Sequence, residues 1–256
     1  MVNVEMLSRK EFDGKARSAA EAKRLLVLAN RILSMEGVVD AYGHVSMRNP
    51  ENPDSFFISR AIAPAYVCEE DIMECATHDG AVFPHCIGQQ PYGERIIHAL
   101  VYKNRSDINA VVHAHPVELI PFTACDIPFS IVFHSCSMFY DGIPLYKLGE
   151  ESGMHITTVE EAESMARHME DKNGLFIANH GIVVGFDMVQ KVVMASVYLS
   201  QAAEILQKTL AMGGRPRSLT YSEAKKSTEY LFGEVGLARS WEYWVRRAAE
   251  MYPDVD

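Results

Sequence analysis

The alternation of apolar and polar positions predicts a regular succession of helices and strands in the first third of the chain. Residues 19–37, AAEAKRLLVLANRILSMEG, place apolar side chains at helical spacing and end in a glycine, which predicts a capped helix. Residues 43–50 and 55–64 are short apolar or alternating runs interrupted by proline, so we expect two strands joined by a turn. Residues 69–83 predict a third strand followed by an Asp-Gly turn.

The middle of the chain predicts a helix that leads directly into a strand. Residues 92–107, YGERIIHALVYKNRSD, repeat apolar positions at helical spacing, and basic side chains favour the C-terminal end of that helix. Residues 108–116, INAVVHAHP, follow at once as a valine-rich strand that Pro116 stops. Residues 127–140, IPFSIVFHSCSMFY, are interpreted as a second β-rich run.

The last part of the chain predicts one strand pair and three helices. Residues 157–171 begin with threonine followed by acidic residues, the pattern of a capped helix, and residues 175–187 predict strand, tight turn and strand. Residues 188–214 predict a long amphipathic helix ended by two glycines, and residues 239–252 a further helix. This alternation predicts a mixed α/β layered fold with a central sheet. We expect one domain over residues 1–256, with a C-terminal helical extension from about residue 213.

Composition narrows the class of ligand more than it narrows the fold. A chain of 256 residues with 48% hydrophobic content buries a substantial core within one domain. A formal net charge of −10 disfavours nucleic acid and anionic membranes as partners, which leaves a small-molecule substrate as the expectation. The first residues lack the apolar core of a signal peptide, no apolar run is long enough to span a bilayer, and the five cysteines form no CxxC pair. We therefore expect a cytoplasmic protein with reduced cysteines.

Two histidines one residue apart on the predicted strand 108–116 are the first candidate for chemistry. Side chains two positions apart on a strand point to the same face, so His113 and His115 project together while Ala114 points away. A divalent metal ion accepts neutral imidazole nitrogens aimed in this way. The alternative is a pair of ordinary histidines that are hydrogen-bonded on a half-exposed sheet face.

A metal site needs further ligands, and two residues elsewhere in the chain are suitably placed. His180 stands where a predicted strand meets a glycine turn, although it could equally be a turn histidine that caps backbone groups. Glu94 starts the helix that leads into the His113 strand, although an acidic residue there also suits a helix N-terminus. Each residue alone has an ordinary explanation, so the metal hypothesis depends on the four together.

Taken together, these residues resemble the class II aldolase/adducin family. Glu94, the pair in VVHAHP and His180 in ANHG occur in the family's order, and the similarity runs from about Arg17 to Met212. It includes the segments GHVSMR, GERIIHALVYKNRSDINAVVHAHP and LFIANHGIVVGFD. The resemblance implies a three-layer α/β/α sandwich around a mostly antiparallel sheet. It also implies a homotetramer with active sites between neighbouring subunits.

The resemblance also implies a ligand set and a type of reaction. In the family's enzymes three histidines bind a divalent ion, and a glutamate is a further ligand or a proton carrier. Those residues would be His113, His115, His180 and Glu94 here, with zinc or manganese as the expected metal. A divalent cation that holds substrate oxygens stabilises an enolate, so that a bond to the neighbouring carbon breaks. Glu94 would return a proton to carbon if burial raised its pKa.

The chain departs from the family's sugar enzymes at the positions that bind phosphate. Those enzymes use an asparagine in a GNxS-like turn, a Thr/Ser-Gly pair and two serines before the glutamate. This chain has His44 in GHVS, Ser59 and Arg60 in ISRA, and Tyr92 and Gly93 before the glutamate. A guanidinium that grips a carboxylate with two hydrogen bonds, beside an imidazole and an aromatic ring, suits a planar carboxylate substrate. These segments resemble the family's decarboxylases of hydroxylated aromatic dicarboxylates.

Three functions therefore stand at the end of the sequence analysis. The first is a metal-dependent lyase that decarboxylates a hydroxylated aromatic carboxylate. The second is a class II aldolase or epimerase acting on a sugar or sugar-acid phosphate, which the missing phosphate donors disfavour. The third is a non-catalytic, adducin-like interaction domain, which the presence of all four metal-site positions disfavours. His98, one helical turn after Glu94, either supports the site from behind or simply packs on its helix.

Overall fold

A computed structural model describes residues 15–149 and 153–253 of the protein. The helices are α1 (Ala19–Met35), α2 (Arg95–Asn104), α3 (Ile120–Thr123), α4 (Val159–Met169), α5 (Val189–Ala211), α6 (Tyr221–Leu231) and α7 (Glu234–Met251). The strands are β1 (His44–Asn49), β2 (Asn52–Ser59), β3 (Ile72–Ala76), β4 (Ala110–Ala114), β5 (Leu145–Tyr146), β6 (Gly174–Ile177) and β7 (Gly181–Phe186). The N-terminal segment expected to lack a signal peptide lies largely outside the described residues.

The described part of the chain forms one sheet of seven strands in the order β3-β2-β1-β4-β7-β6-β5. Every neighbouring pair is antiparallel except β5 and β6, which are parallel. Helices cover both faces, with α2 and α4 on one side and α1, α5 and α7 on the other. The structure confirms the predicted three-layer α/β/α sandwich around a mostly antiparallel sheet.

The alternation of side chains along the central strand β4 divides the core into two parts. Val112 and Ala114 face the side of α1 and α5, whereas Val111 faces the side of α2 and α4. His113 shares the face of Val111 and is completely buried there. The metal-site candidates of β4 therefore lie under the helix that begins next to Glu94.

Most helices that the sequence predicted have the expected end signals. Ser18 caps α1 through a hydrogen bond from the backbone N–H of Glu21, and Gly37 follows the helix with a φ of 71°. Thr158 and Glu161 form the predicted reciprocal capping pair at the start of α4. The expectation of one domain over residues 1–256 with a helical extension from about 213 stays a prediction, and α7 packs on α1 and α5.

One predicted element was wrong, and the helices α3 and α6 and the short strand β5 were not predicted. Residues 127–140 were expected to be β-rich, but His134–Phe139 form a 3-10 helix. This segment is buried against α6, where Thr228 donates a hydrogen bond to Ser137, so packing against a helix overrides the β propensity of its residues. Helix α6 was not predicted, although its capping pair, Thr220 and Glu223, has the Thr-x-x-Glu signature.

Within residues 15–149 and 153–253, no helix is both long enough and apolar enough to cross a membrane. All five cysteines are free thiols.

Replacing Gly181 with alanine should destabilise the protein, because β7 begins in close contact with the end of β4. An added Cβ would lie 2.3 Å from the Ala114 carbonyl oxygen and 2.8 Å from Cδ2 of His115. Relief requires a backbone shift, and we expect a loss of about 1–3 kcal/mol in the free energy of unfolding, measured by urea denaturation. Gly214→Ala is the matched control, since its Cβ would meet nothing within 4 Å. Equal midpoints for the two variants would contradict this account of the β4–β7 contact.

Candidate metal and substrate site

The candidate site lies at one end of the sheet, where four neighbouring strands begin or end. His44, the first residue of β1, pairs with His113 near the end of β4, and His113 pairs with Val183 of β7. Since neighbouring strands here are antiparallel, the end of β4 and the starts of β1 and β7 meet at the same edge. The end of the antiparallel strand β2 lies toward the start of β1, so Arg60, the residue after β2, lies at the same end of the sheet. The fold therefore brings residues from distant parts of the sequence to one edge.

Glu94, His113, His115 and His180 form one cluster in which the four ligand atoms lie within 4.8 Å of each other. Nε2 of His113 is 3.1 Å from Nε2 of His115, and it is 3.5 Å from Oε2 of Glu94. Nε2 of His180 is 3.6 Å from Oε1 of Glu94. The structure thus brings together all four residues that the sequence analysis selected as metal ligands.

The orientation of His113 is fixed from behind by the sheet. Its Nδ1 lies 2.9 Å from the Ile182 carbonyl oxygen, which can only accept, so Nδ1 carries the hydrogen. In the neutral ring, Nε2 is then the nitrogen with a free lone pair, and it faces the cluster. Carbonyl oxygens hold metal-binding histidines in this way.

Glu94 occupies the N-cap position of α2, but its carboxylate does not cap that helix. Oε1 instead accepts a hydrogen bond of 3.0 Å from the backbone N–H of Ile156, and both carboxylate oxygens face histidines of the cluster. The backbone of Glu94 therefore lies at a helix N-terminus, as the helix-dipole explanation requires, but its side chain contacts the histidine cluster and does not cap the helix. The contact also brings the segment before α4 against the site.

The protonation states of the cluster suit metal ligation. Burial, together with the neighbouring imidazoles, lowers the pKa of His115 and His180 to about 4, so both rings are neutral near pH 7. Burial raises the pKa of Glu94, but hydrogen bonding and charge from His113, together with charge from His180, outweigh it and lower that pKa to about 2. The expectation of a raised pKa for Glu94 is therefore wrong for this arrangement of the cluster, because the histidines outweigh the effect of burial.

The spacing of the donor atoms is close to that around one small divalent ion. Ligands at 2.0–2.1 Å from a tetrahedral zinc lie about 3.3–3.4 Å apart. The contacts of 3.1, 3.5 and 3.6 Å are near that separation, and all four donor atoms lie within 4.8 Å of one another. Nδ1 of His180 is buried and has no hydrogen-bond partner among the described residues, so Nε2 is the nitrogen of this ring that faces the cluster. Three imidazoles and one carboxylate form a donor set that zinc, manganese, cobalt and iron accept.

Aromatic rings line the neighbouring part of the edge. The His44 ring centroid lies 4.6 Å from that of Tyr92 and 5.2 Å from that of His113. The Tyr92 hydroxyl donates to the Ile62 carbonyl oxygen, and Ser59 lies 3.5 Å from the same hydroxyl. Gly93 has room for a Cβ, since Thr157 would be met only at 3.7 Å. Tyr92 therefore presents its ring to this edge, while its hydroxyl is taken by the backbone.

Arg60 is anchored at one nitrogen only. Its Nε donates to Oδ1 of Asp71 at 2.6 Å, and its side chain is 39% exposed. Burial opposes ionisation of Asp71, but hydrogen bonds from Cys68 and Arg60 keep the pKa of that carboxyl below its usual value. Among residues 15–149 and 153–253, none hydrogen-bonds the terminal nitrogens of Arg60. The guanidinium is thus oriented by an ion pair while its outer edge stays available.

Two contributions to the site were not assigned from the sequence. His155 lies 3.7 Å from Oε1 of Glu94 and approaches the His180 ring, and nothing in its sequence neighbourhood indicates this position. His98 is completely buried and its ring nitrogens lie 2.6 Å from His44 and from Ser46. The spacing of four residues after Glu94 indicated the correct helix face for His98 but not these partners.

Comparison with known proteins agrees with this geometry. The model of the class II aldolase and adducin N-terminal domain matches residues 24–207. Decarboxylase tropJ from Talaromyces stipitatus is 26% identical over 87% of this chain and 92% of its own length. The 3,4-dihydroxyphthalate decarboxylase of Arthrobacter keyseri is 24% identical over 89% of this chain and 94% of its own length.

Two further matches concern aldolases and the fold. An L-fuculose phosphate aldolase from Methanocaldococcus jannaschii is 24% identical over 71% of this chain and 93% of its own length. The crystal structure of an aldolase II superfamily protein from Pseudomonas syringae has a TM-score of 0.77, with 20% identity over 94% of this chain and 97% of that one. With the domain model matching well over half of its residues, the chain belongs to the class II aldolase and adducin family.

Proposed function

We propose that this protein is a metal-dependent carbon–carbon lyase that decarboxylates a hydroxylated aromatic carboxylate. The observation that carries the proposal is the makeup of the edge beside the metal cluster. Arg60, whose guanidinium is anchored by Asp71, follows the end of β2, and the His44 ring at the start of β1 packs against Tyr92. A fixed guanidinium next to flat rings suits a planar anion better than it suits a flexible sugar phosphate.

The relatives support the same choice. Two decarboxylases align with 87% and 89% of the chain, whereas the fuculose phosphate aldolase aligns with 71%. One of these relatives is named for dihydroxyphthalate, an aromatic ring with adjacent carboxylates and hydroxyls. That substrate class matches an edge with one arginine and two aromatic side chains.

We assign the resident metal ion to His113, His115, His180 and Glu94, with zinc or manganese as the candidates. When bound, such an ion supplies positive charge that stabilises negative charge on substrate oxygens as the carbon–carbon bond breaks. His113 needs no rearrangement for this role, because the Ile182 carbonyl already holds its Nδ1–H.

The other residues bind and orient the substrate. Arg60 would hold a retained carboxylate through its two terminal nitrogens, and His44 and Tyr92 would contact the ring. A proton is added to the ring carbon that bears the departing carboxylate, and the electron pair for the new bond comes from the ring and its hydroxyl oxygen. That carboxylate then leaves as carbon dioxide, and the electron pair of the broken carbon–carbon bond returns to the ring and restores its aromaticity.

Glu94 is the residue we propose to carry that proton. The low pKa of its carboxyl depends on a hydrogen bond from His113, which requires a proton on Nε2 of that ring. With Nε2 of His113 unprotonated, this hydrogen bond is lost and burial, which raises the pKa, gains weight. Glu94 is then able to take up and release a proton at its carboxylate.

The second candidate function is a class II aldolase or epimerase, which the fuculose phosphate aldolase relative favours. The third, an adducin-like interaction domain, would have no need for four converging ligands. We retain the homotetramer with sites between subunits as a proposal. Exposed Tyr42 and Val117, close in sequence to His44 and His115, support an interface near the site. The cytoplasmic location stays a prediction.

The purified protein should release carbon dioxide from dihydroxyphthalates and no aldehyde from sugar phosphates, as followed by coupled assays for each product. Aldehyde release without carbon dioxide would replace the first function by the second. A metal-free protein that is inactive on both substrate classes would favour the interaction domain.

In the same assay, Arg60→Lys should raise KM for the aromatic dicarboxylate about 10-fold to 100-fold. Lysine keeps the charge but cannot form two parallel hydrogen bonds to one carboxylate. Arg215→Ala, at an exposed position, is the matched control and should leave KM unchanged. An unchanged KM in the lysine variant would remove Arg60 from the substrate site.

Metal content separates the roles of His113 and Glu94. His113→Ala should abolish metal retention, whereas Glu94→Gln should keep much of the metal and lose turnover about 100-fold or more. Plasma emission spectroscopy measures the metal, and the decarboxylation assay measures turnover. His78→Ala is the control for a histidine substitution, because His78 is 70% exposed and its partner is Asp79. Equal metal loss in both site variants would refute the proton-carrier role of Glu94.

A further inference from the structure

A buried chain of polar side chains runs from the interior of the sandwich to the edge of the site. The Tyr102 hydroxyl lies 2.7 Å from Oγ of Ser46, and Oγ of Ser46 lies 2.6 Å from Nδ1 of His98. Nε2 of His98 lies 2.6 Å from Nδ1 of His44. None of the four residues exceeds 3% exposure. Buried polar groups connected in this way hold one another in fixed orientations.

The local structure explains why these residues meet. His98 and Tyr102 are four positions apart on α2, so they lie on the same face of that helix. His44 and Ser46 are two positions apart on β1 and share the sheet face that α2 covers. The chain is therefore built into two rigid elements and does not depend on a loop.

The chain has a direction, which begins at Tyr102. Among the described residues, Ser46 is the only side-chain acceptor within hydrogen-bonding distance of the Tyr102 hydroxyl, while a backbone hydrogen bond from Val111 stabilises the phenol oxygen. The tyrosine hydroxyl therefore donates to Ser46. The opposite direction would leave a buried hydroxyl hydrogen without an acceptor.

The remaining hydrogens follow one by one. Ser46 has a single hydroxyl hydrogen and donates it to Nδ1 of His98, so a neutral His98 carries its hydrogen on Nε2. That hydrogen is donated to Nδ1 of His44. A neutral His44 is then left with its hydrogen on Nε2, for which residues 15–149 and 153–253 provide no partner.

The chain is unsuited to delivering a proton to substrate. Releasing a proton from His44 and refilling it through the chain would leave a tyrosinate at Tyr102, and burial raises the pKa of that phenol far above neutrality. Because Tyr102 at the inner end does not ionise near neutral pH, the chain does not deliver protons. It fixes the direction of its hydrogen bonds and thereby orients the hydrogen on His44.

We propose that Tyr102, Ser46 and His98 are positioning residues that hold His44 as the Nε2–H tautomer, so that His44 donates a hydrogen bond to an anionic oxygen of the substrate. The inference rests on the proposed function for the identity of that oxygen, a carboxylate or phenolate of an aromatic ring. Arg60, which follows β2 at the same end of the sheet, is the second donor for the same anion. Together they form a two-residue anion clamp beside the metal cluster.

Neutron diffraction from crystals exchanged into D2O tests the tautomer without any substrate. We expect deuterium on Nε2 of both His44 and His98 and none on Nδ1 of His44. In Ser46→Ala the hydroxyl that donates to Nδ1 of His98 is lost, so the direction is no longer fixed and deuterium should appear on Nδ1 of His44 in part of the molecules. His98→Ala, which removes the donor to Nδ1 of His44, is a second variant with deuterium expected on that nitrogen, should the serine variant fail to fold. Deuterium on Nδ1 of His44 in the wild-type protein would overturn the inference.

Binding and turnover test the role of the donor, with phthalate as the probe. Ser46→Ala should raise the Kd for phthalate, measured by calorimetry, about 2-fold to 10-fold and lower kcat/KM for the dihydroxyphthalate by a similar factor. Its metal content should equal that of the wild type, since no cluster residue is changed. Ser196→Ala, a buried serine on α5 at the other face of the sheet, is the matched control and should equal the wild type in all three measurements.

The outcomes separate this inference from the proposed function. A wild-type protein that binds phthalate but releases no carbon dioxide would contradict the decarboxylase and leave the anion clamp standing. An active decarboxylase whose Ser46→Ala variant keeps its phthalate affinity would overturn the clamp alone. A wild-type protein that does not bind phthalate would overturn the assignment of His44 to an aromatic carboxylate.

Discussion

The register between β4 and β7 is the constraint on which the site depends. It places the Ile182 carbonyl against Nδ1 of His113, so that Nε2 of that ring faces the cluster. The same pairing brings the start of β7, with His180 just before it, against the end of β4. A slip of one residue would turn every side chain of β4 to the opposite face and send His113 into the α1 side of the core. Gly181 permits this close approach, because the two backbones leave no room for a side chain.

Burial and charge in this cluster act together. Three imidazoles surround one carboxylate. Burial and the neighbouring rings lower the pKa of His115 and His180, so both are neutral, and the pKa of Glu94 is low as well, so its carboxylate is anionic. A preformed set of neutral nitrogens and one negative oxygen is the state in which such residues bind a divalent cation. The folded protein therefore already holds these side chains in the arrangement that a metal ion requires.

The sequence predicted the parts of the molecule that local patterns determine. Neighbouring residues determine the helix periodicity, the capping residues of α4 and the shared face of His113 and His115. The family resemblance connected this pair with the distant candidates Glu94 and His180. Residues 134–139 were misassigned because their burial depends on α6, which lies far away in the sequence. His155 was missed because its loop is brought to the site by a hydrogen bond from the backbone N–H of Ile156 to the Glu94 carboxylate. No local pattern indicates contacts of this kind.

The same limit applies to the buried chain behind His44. Ser46, His98 and Tyr102 have ordinary surroundings in the sequence, and only the packing of α2 on β1 connects them. In the assignments we propose, the metal ligands lie at β4, just before β7 and at the start of α2, whereas the anion-binding residues His44 and Arg60 lie on β1 and just after β2. Both groups of residues lie at the same end of the strands β1, β2, β4 and β7.

The most direct test of this account is an anomalous-difference map from crystals of the metal-loaded protein, collected at the absorption edge of the ion. The account predicts one peak, about 2.0–2.3 Å from the Nε2 atoms of His113, His115 and His180. A peak bound elsewhere, or a cluster that binds no ion under saturating zinc and manganese, would contradict it.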